Sequence, residues 1–275
     1  LRPMRFVNPT GGTPNLYCYA ADLVRMPDGQ WRVFADRTQA PSGAGYALRN
    51  RRVLARTFPE AFRVMPVRRL QPFLELWQAS LQRIGAAHGD EARAVLLTSG
   101  PYNDAYFEHV YLARELGITL AQGSDLTIRD NVVYLKTLDG LLRVDVIYRR
   151  LDGEYCDPLE LRQDSALGAA GLVDAIRAGK VAVVNLPGSA LVETPAFAPF
   201  LPALARRLLD EELNMPAVTT WWCGQASALH AVQESIDSFV LRPTFDPISR
   251  PVDPTLLGTQ EREALKARIA TRAEE

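Results

Sequence analysis

The chain has 275 residues, long enough for one large domain or two ordinary ones. Its 47% apolar and 23% charged content excludes a disordered or fibrous protein. A formal net charge of -1 supplies no overall attraction for nucleic acid or an acidic membrane, and no apolar run approaches the roughly 20 residues that span a bilayer, so neither partner is expected. The first residues lack the layout of a signal peptide, and a cytoplasmic protein is expected; the oligomeric state is left open. Three cysteines, Cys18, Cys156 and Cys223, stand far apart with no CxxC, which argues against a disulfide framework or a zinc ribbon. Of the 31 basic residues only Lys136, Lys180 and Lys266 are lysines, a bias that a GC-rich genome explains.

In chain order, residues 1–30 are rich in Pro and Gly, and Leu16–Val24 alternates as a strand does. Met26-Pro27-Asp28-Gly29 predicts a turn, with Trp31–Ala35 as the second arm of a hairpin. A polar stretch, Asp36 to Tyr46, leads into a predicted helix over Ala47–Arg56. Leu70, Phe73, Leu74, Trp77, Leu81 and Ile84 recur at spacings of three and four and predict a one-faced helix ending near Gly85. From Ala94 the pattern alternates: strand Ala94–Thr98, loop Ser99–Asp104, helix Ala105–Leu116 stopped by Gly117, and strand Ile118–Gln122. A hairpin turns at Asp130-Asn131, and Leu142–Arg149 reads as one strand with Val144, Val146 and Tyr148 on one face. Helix Gly171–Ala178, strand Val181–Asn185, an amphipathic helix marked by Phe197 to Leu208, strand Phe239–Arg242 and a polar helix from Gln260 complete an α/β chain.

Three places carry residues suited to chemistry. Ser99–Asp104 joins a strand end to a helix start, where open α/β sheets bind ligands and free N–H groups favour anions; Glu108 and His109 follow one turn in. The same residues would serve a plain capped helix with His109 satisfied in a wall. Arg149 and Arg150 stand at a strand end ahead of Asp152, Asp157 and Arg162, and fit either a fork for a carboxylate or phosphate or a structural ion-pair network. Asp36 through Arg51 brings a carboxylate, a Ser42-Gly43-Ala44-Gly45 turn and Asn50-Arg51, parts that suit magnesium and nucleotide phosphates. Nucleophilic catalysis has poor material: Cys223 and His230 are the nearest couple, and Trp221-Trp222-Cys223 reads as an apolar plug.

Along roughly residues 18 to 245 stand, in order, Ala21–Arg25, Asp36–Leu48, Gly100–Asn103 with Tyr106–His109, Gly123–Leu126, Arg149–Asp152, Asp157–Arg162 with Asp164–Gly168, and Thr220–Gly224. This ordered set resembles the circularly permuted ATP-grasp proteins of the type 2 branch, related to glutathionylspermidine synthase-like ligases. The resemblance implies a Rossmann-like (pre-ATP-grasp) substrate domain at 93–225 with part of a permuted ATP-grasp domain. Residues 1–65 would be the metal and phosphate half, 66–92 a helical connector, and 226–275 the start of the second half, cut short relative to the family. It implies ATP and magnesium as cofactors and a small-molecule or peptide-like substrate. The reaction would be carboxylate–amine ligation through an acyl phosphate, with no turnover expected from this piece alone. The alternative is a non-catalytic module that binds a peptide-like ligand or a partner protein.

Carried over by position, Asp36 and Asn50 would bind metal. Arg51, Arg242, Ser42 and Gly43 would hold the nucleotide, and Tyr102, Asn103, Asp104 and Arg162 the substrate. Arg149, Arg150, Glu108 and His109 would serve catalysis. The sequence departs from the family's pattern where Arg49 replaces a Glu, where Arg242-Pro243 replaces Lys-Pro, and where residues 244–250 lack a Gly-rich stretch. The first change is the costliest, because a unit-charge pair at 4 Å is worth about 4 kcal/mol at an effective dielectric of 20.

Overall fold

A computed structural model describes residues 16–87, 89, 92–245 and 250–274. The expectations placed on residues 1–15 and 246–249 lie outside these. The described residues divide into two units, those of 16–20 and 37–191 in the first and those of 21–36 and 192–274 in the second. This division cuts across the segments read from sequence: both 1–65 and 93–225 contribute to both units.

The first unit is built on a four-stranded parallel sheet of β3 (Ala94–Leu97), β4 (Thr119–Ala121), β8 (Val146–Arg149) and β9 (Ala182–Val184), in the order β4-β3-β8-β9. Alternation along each strand feeds two cores, as a parallel sheet covered on both faces requires. Val95, Leu97, Ile147 and Val183 face Leu172, Val173 and Ile176 of α5 (Leu172–Arg177). Leu96, Val146, Tyr148 and Val184 face the other way, onto α1 (Ala44–Thr57), α3 (Gln71–Ala86) and α4 (Tyr106–Leu116) through Leu48, Trp77 and Leu112. Trp77 meets Tyr148 edge-on at 5.2 Å, the contact that the three-and-four spacing of α3 sets up. A short α2 (Pro59–Val64) follows α1 and has no counterpart in the sequence reading.

An antiparallel meander, β5 (Leu126–Arg129), β6 (Val132–Thr137) and β7 (Gly140–Arg143), packs Leu126, Val133 and Leu135 into the first core. The single strand expected over 142–149 is two. β7 pairs with β6 and β8 pairs with β3, because Asp145 breaks the run. Its carboxylate accepts the Arg93 N–H at 3.0 Å and pairs with Arg143 at 2.8 Å, fixing the chain as it passes from one sheet to the next.

The second unit contains most of the hairpin β1 (Ala20–Arg25) and β2 (Trp31–Arg37), whose turn places Gly29 at φ +84°, a conformation that needs glycine. It also holds α6 (Leu201–Leu209), α7 (Ala226–Glu234) and α8 (Thr259–Thr271). Its core joins Val232, Ile236 and Leu265 with Cys223, Phe239 and Leu241. Two expectations are corrected here. The helix begun at Phe197 is 3-10 up to Phe200, with Pro199 inside it, and α-helical only from Leu201, whose first turn tolerates Pro202; the strand over 239–242 is a lone bridge from Leu241 to Val252, since Pro243 ends pairing. Among the described residues no helix is long and apolar enough to cross a membrane.

Candidate functional site

In the first unit the chain runs from β3 to β4 on one side and later enters β8 on the other side of β3. Loops leaving β3 and β8 therefore diverge, which makes their shared carboxyl edge the crevice where open α/β sheets take ligands. The Ser99–Asp104 loop and the Arg149-Arg150 strand end meet at this edge: Leu97 and Arg149 are register partners, and the Arg150 N–H donates to the Leu97 carbonyl at 2.8 Å. Gly100 has φ +93°, a left-handed conformation that favours glycine.

Side chains fill this edge closely. Glu108 and His109, 2% and 1% exposed, open α4. Glu108 Oε1 accepts the N–H groups of Gly43 at 2.7 Å and Gly45 at 2.9 Å, so a carboxylate of the protein occupies the anion-favouring start of α1. Gly45 is obligatory there, since a Cβ would sit 2.7 Å from Glu108 Cγ. The second oxygen of Glu108 faces the Arg150 guanidinium at 3.8 Å and has no hydrogen-bond partner, as is also true of Arg150 Nε. Arg150 reaches the Pro41 carbonyl with a short hydrogen bond. His109 Nδ1 lies 2.8 Å from the Thr98 hydroxyl, which also accepts the Gly100 N–H. Burial, with the nearby Arg150 cation, pushes the His109 pKa down to about 4, so the ring is neutral at pH 7. Burial pushes the Cys18 thiol up to about 11, far from a reactive thiolate.

Arg149 is 1% exposed. Its Nε donates to the Asn185 carbonyl at 2.9 Å, and its other nitrogens reach the carbonyls of Leu151, Gln39 and Leu186 and the Ser189 hydroxyl. Asn185, buried at the end of β9, completes this lattice: its side chain accepts the N–H groups of Tyr17 and Cys18 and donates to the carbonyls of Cys18 and Thr38. Gln39 bonds Asp152 and the Gly153 N–H. Asn185, Thr38 and Gln39 are polar residues that spacing does not single out; they matter through partners more than a hundred residues away.

The remaining named residues stand as follows. Tyr102, Asn103 and Asp104 are exposed on the β3–α4 loop, where Asn103 Oδ1 accepts the Ala105 N–H. Arg162 is exposed and bound to Asp164 at 2.8 Å and to the Tyr155 hydroxyl at 2.6 Å. Asp157, wholly buried, accepts N–H groups from Gly171 and Val173 and so caps α5. Ser42 and Gly43 are exposed, but the Gly43 N–H is committed to Glu108. Arg51 donates to the Val67 carbonyl and stacks on Phe62, 4.0 Å from its centroid. Arg49 and Asn50 are exposed on α1.

Asp36 and Arg242 belong to the second unit, where both line one cavity of about 1040 Å³. Its walls include Phe34, Trp221, Trp222 and Phe239, and the Arg242 guanidinium lies over the Phe34 ring at 5.8 Å. Among the described residues no group of three or more His, Cys, Asp or Glu side chains gathers as a metal site. Magnesium usually takes one or two carboxylates and completes its shell with water and phosphate oxygens. Asp36 in an arginine-bearing cavity fits that demand.

Comparison with known proteins places these observations. The chain is 38% identical over 263 residues to an uncharacterized protein of Mycobacterium tuberculosis (strain ATCC 25618 / H37Rv), covering 96% of this chain and 29% of that protein. A second uncharacterized protein of the same strain is 39% identical over 222 residues, covering 81% of the chain and 40% of that protein. One from Synechocystis sp. (strain ATCC 27184 / PCC 6803 / Kazusa) is 34% identical over 244 residues, covering 88% and 50%. The chain thus spans half or less of the length of these relatives. Residues 1–275 match the family described as circularly permuted ATP-grasp type 2, and the chain belongs to that family.

Proposed function

We propose that the chain is part of an ATP-grasp-type carboxylate–amine ligase, related to the glutathionylspermidine synthase-like enzymes, with the nucleotide held in the second unit. The observation that carries this reading is that Asp36 and Arg242, far apart in sequence and named from the family pattern, line the same cavity. Arginine forks neutralise phosphate oxygens, and the aromatic walls offer faces for a base. Magnesium, when bound, would offset the charge of the phosphates, and Asp36 would be its protein ligand. The acyl substrate's carboxylate would take the γ-phosphoryl group of ATP, releasing ADP, and an amine would then attack the acyl carbon, expelling inorganic phosphate and giving up a proton as the amide forms. The first unit, read as the Rossmann-like pre-ATP-grasp domain, would present the acyl substrate at the edge of β3 and β8. There Tyr102, Asn103 and Asp104 are the exposed groups, and Glu108, Arg149 and Arg150 act as positioning residues behind them. Turnover by these residues alone is not expected, since the matched stretch makes up only 29%, 40% and 50% of these relatives.

The test is calorimetric titration of Mg-ATP into the protein and into Asp36→Ala and Arg242→Ala variants. Heat in the intact protein that vanishes in both variants is expected; no heat in the intact protein overturns the reading. One observation favours the alternative of a non-catalytic binding module: the N–H groups at the start of α1, suited to a phosphate, are already taken by Glu108. Binding of a peptide-like ligand without Mg-ATP would decide for it.

A further inference from the structure

A net charge of -1 gives the whole chain no pull towards an anionic surface, yet its charge is unevenly placed. Residues 49–69 hold seven arginines against one acid, Glu60. Three of the seven are committed within the first unit. Arg63 pairs with Glu60 at 2.8 Å, Arg52 with Glu115 at 2.6 Å, and Arg51 holds the Val67 carbonyl and the Phe62 ring. Arg49, Arg56, Arg68 and Arg69 are exposed, and among the described residues none of the four meets a carboxylate or an acceptor.

The same stretch turns its apolar side chains outward. Over residues 49–70 none is buried, α2 included. Phe58, Val64 and Met65 are 56%, 84% and 58% exposed, where a surface helix normally sends such side chains to the core. Arg51 gathers these pieces at one place, reaching Phe62 and Val67 from α1. Phe58, between the two helices, donates its N–H to the Leu54 carbonyl at 2.8 Å. An apolar patch left in water and rimmed by charge marks an interaction surface.

Charge and apolarity together select the occupant. The four unmatched arginines come from α1 and from the connector after α2, at no regular helical or strand spacing. A folded acidic partner must match such charges one by one, whereas a layer of anionic headgroups meets them in any register. Phe, Val and Met side chains among them suit the acyl boundary just beneath those headgroups. We infer that residues 49–69 form a docking surface for an anionic lipid bilayer. Phe58, Val64 and Met65 enter the interface, and Arg49, Arg56, Arg68 and Arg69 pair with headgroup phosphates. The inference concerns the first unit alone and does not depend on the nucleotide reading.

Vesicle co-sedimentation at low salt tests this, with vesicles of phosphatidylcholine alone and of phosphatidylcholine and phosphatidylglycerol in equal parts. The unaltered protein should bind the mixed vesicles and not the neutral ones, and added salt should weaken that binding. Each basic residue near such a surface raises affinity about fivefold, so Arg68→Ala/Arg69→Ala should lower it at least tenfold. Val64→Asp/Met65→Asp should also lower it at least tenfold. An Arg206→Ala/Arg207→Ala variant on α6 removes the same charge elsewhere and should bind as the unaltered protein does. Thermal melts check each fold, and Val64→Ser/Met65→Ser replaces the Asp pair if that pair melts early. No binding to the mixed vesicles overturns the inference and assigns the patch to a protein surface. Equal binding to neutral vesicles overturns it too, as does an equal loss in the α6 variant. Unchanged binding in the Val64/Met65 variant does the same, because the lipid is then not entered.

Discussion

Arginine serves two different ends in the two units. At the carboxyl edge of the first unit's sheet, Arg149 and Arg150 are 1% and 6% exposed and are met by carbonyls and by Glu108. In the second unit Arg242 and Arg268 are exposed residues that line a cavity. A buried guanidinium must be surrounded by acceptors, because an unpaired buried charge is prohibitively costly. A cavity-lining one that is exposed keeps part of its surface in water, where a ligand can reach it. Burial, rather than residue type, therefore separates the arginines that hold the fold from those suited to hold a ligand.

The comparison breaks most readily at Arg149. Replacing it by Ala strands the carbonyls of Asn185, Leu151, Gln39 and Leu186 in a dry edge. At about 1–3 kcal/mol for each buried group left unsatisfied, a loss of about 5 kcal/mol is expected, read as a large fall in the urea midpoint. A wild-type midpoint would show that Arg149 does not brace the edge. Glu108→Ala comes next. It removes the acceptor for Gly43 and Gly45 and leaves Arg150 without its carboxylate, an expected cost of about 3–4 kcal/mol. Glu108→Gln keeps an acceptor for the two N–H groups and should cost less, which isolates the charge from the hydrogen bonds.

Much of this arrangement was legible in the sequence, and the reason for the remainder is physical. The strands from Ala94 and Val181 and helix α3 follow from local periodicity, which a linear reading captures. The meeting of the Ser99 loop with Arg149-Arg150 follows from strand order at the switch point. What spacing could not give is the capture of the Gly43 N–H by Glu108, 65 residues away, or the four hydrogen bonds of Asn185 to Tyr17, Cys18 and Thr38. Those pairings arise from tertiary closure. The break at Asp145 was hidden for a related reason: the run from Leu142 to Arg149 alternates as one strand would, and only pairing to two different sheets divides it.

A smaller effect belongs to His109, and its sign is fixed by burial. Its folded pKa, about 4, lies below the ordinary value of 6.5, so the unfolded chain binds the proton more readily. The stabilisation is fully present above pH 6.5 and is lost as pH falls from there through about 4. Its size is roughly 3 kcal/mol, at 1.36 kcal/mol for each pH unit of difference. Urea midpoints measured between pH 7 and 4 should show this slope, and His109→Gln should flatten it. An unchanged slope in that variant would mean that the acid sensitivity belongs to other groups.

The smallest effect on stability is expected at Arg242, and there the comparison is sharpest. Its guanidinium is exposed and stacks on Phe34, a contact worth about 0.5–1 kcal/mol at such a site. Arg242→Ala should therefore shift the urea midpoint far less than Arg149→Ala does, while Mg-ATP affinity falls at least tenfold. The variant thus inverts Arg149→Ala, which should cost stability whether or not a ligand is added. Arg242→Lys refines the point. Lysine at this place keeps the positive charge but offers a single ammonium instead of a planar fork. If charge is what phosphate requires, Arg242→Lys retains affinity within about threefold. If a bidentate fork is what holds it, Lys behaves like Ala, and the arginine bias of the chain has a use at this position beyond genome composition.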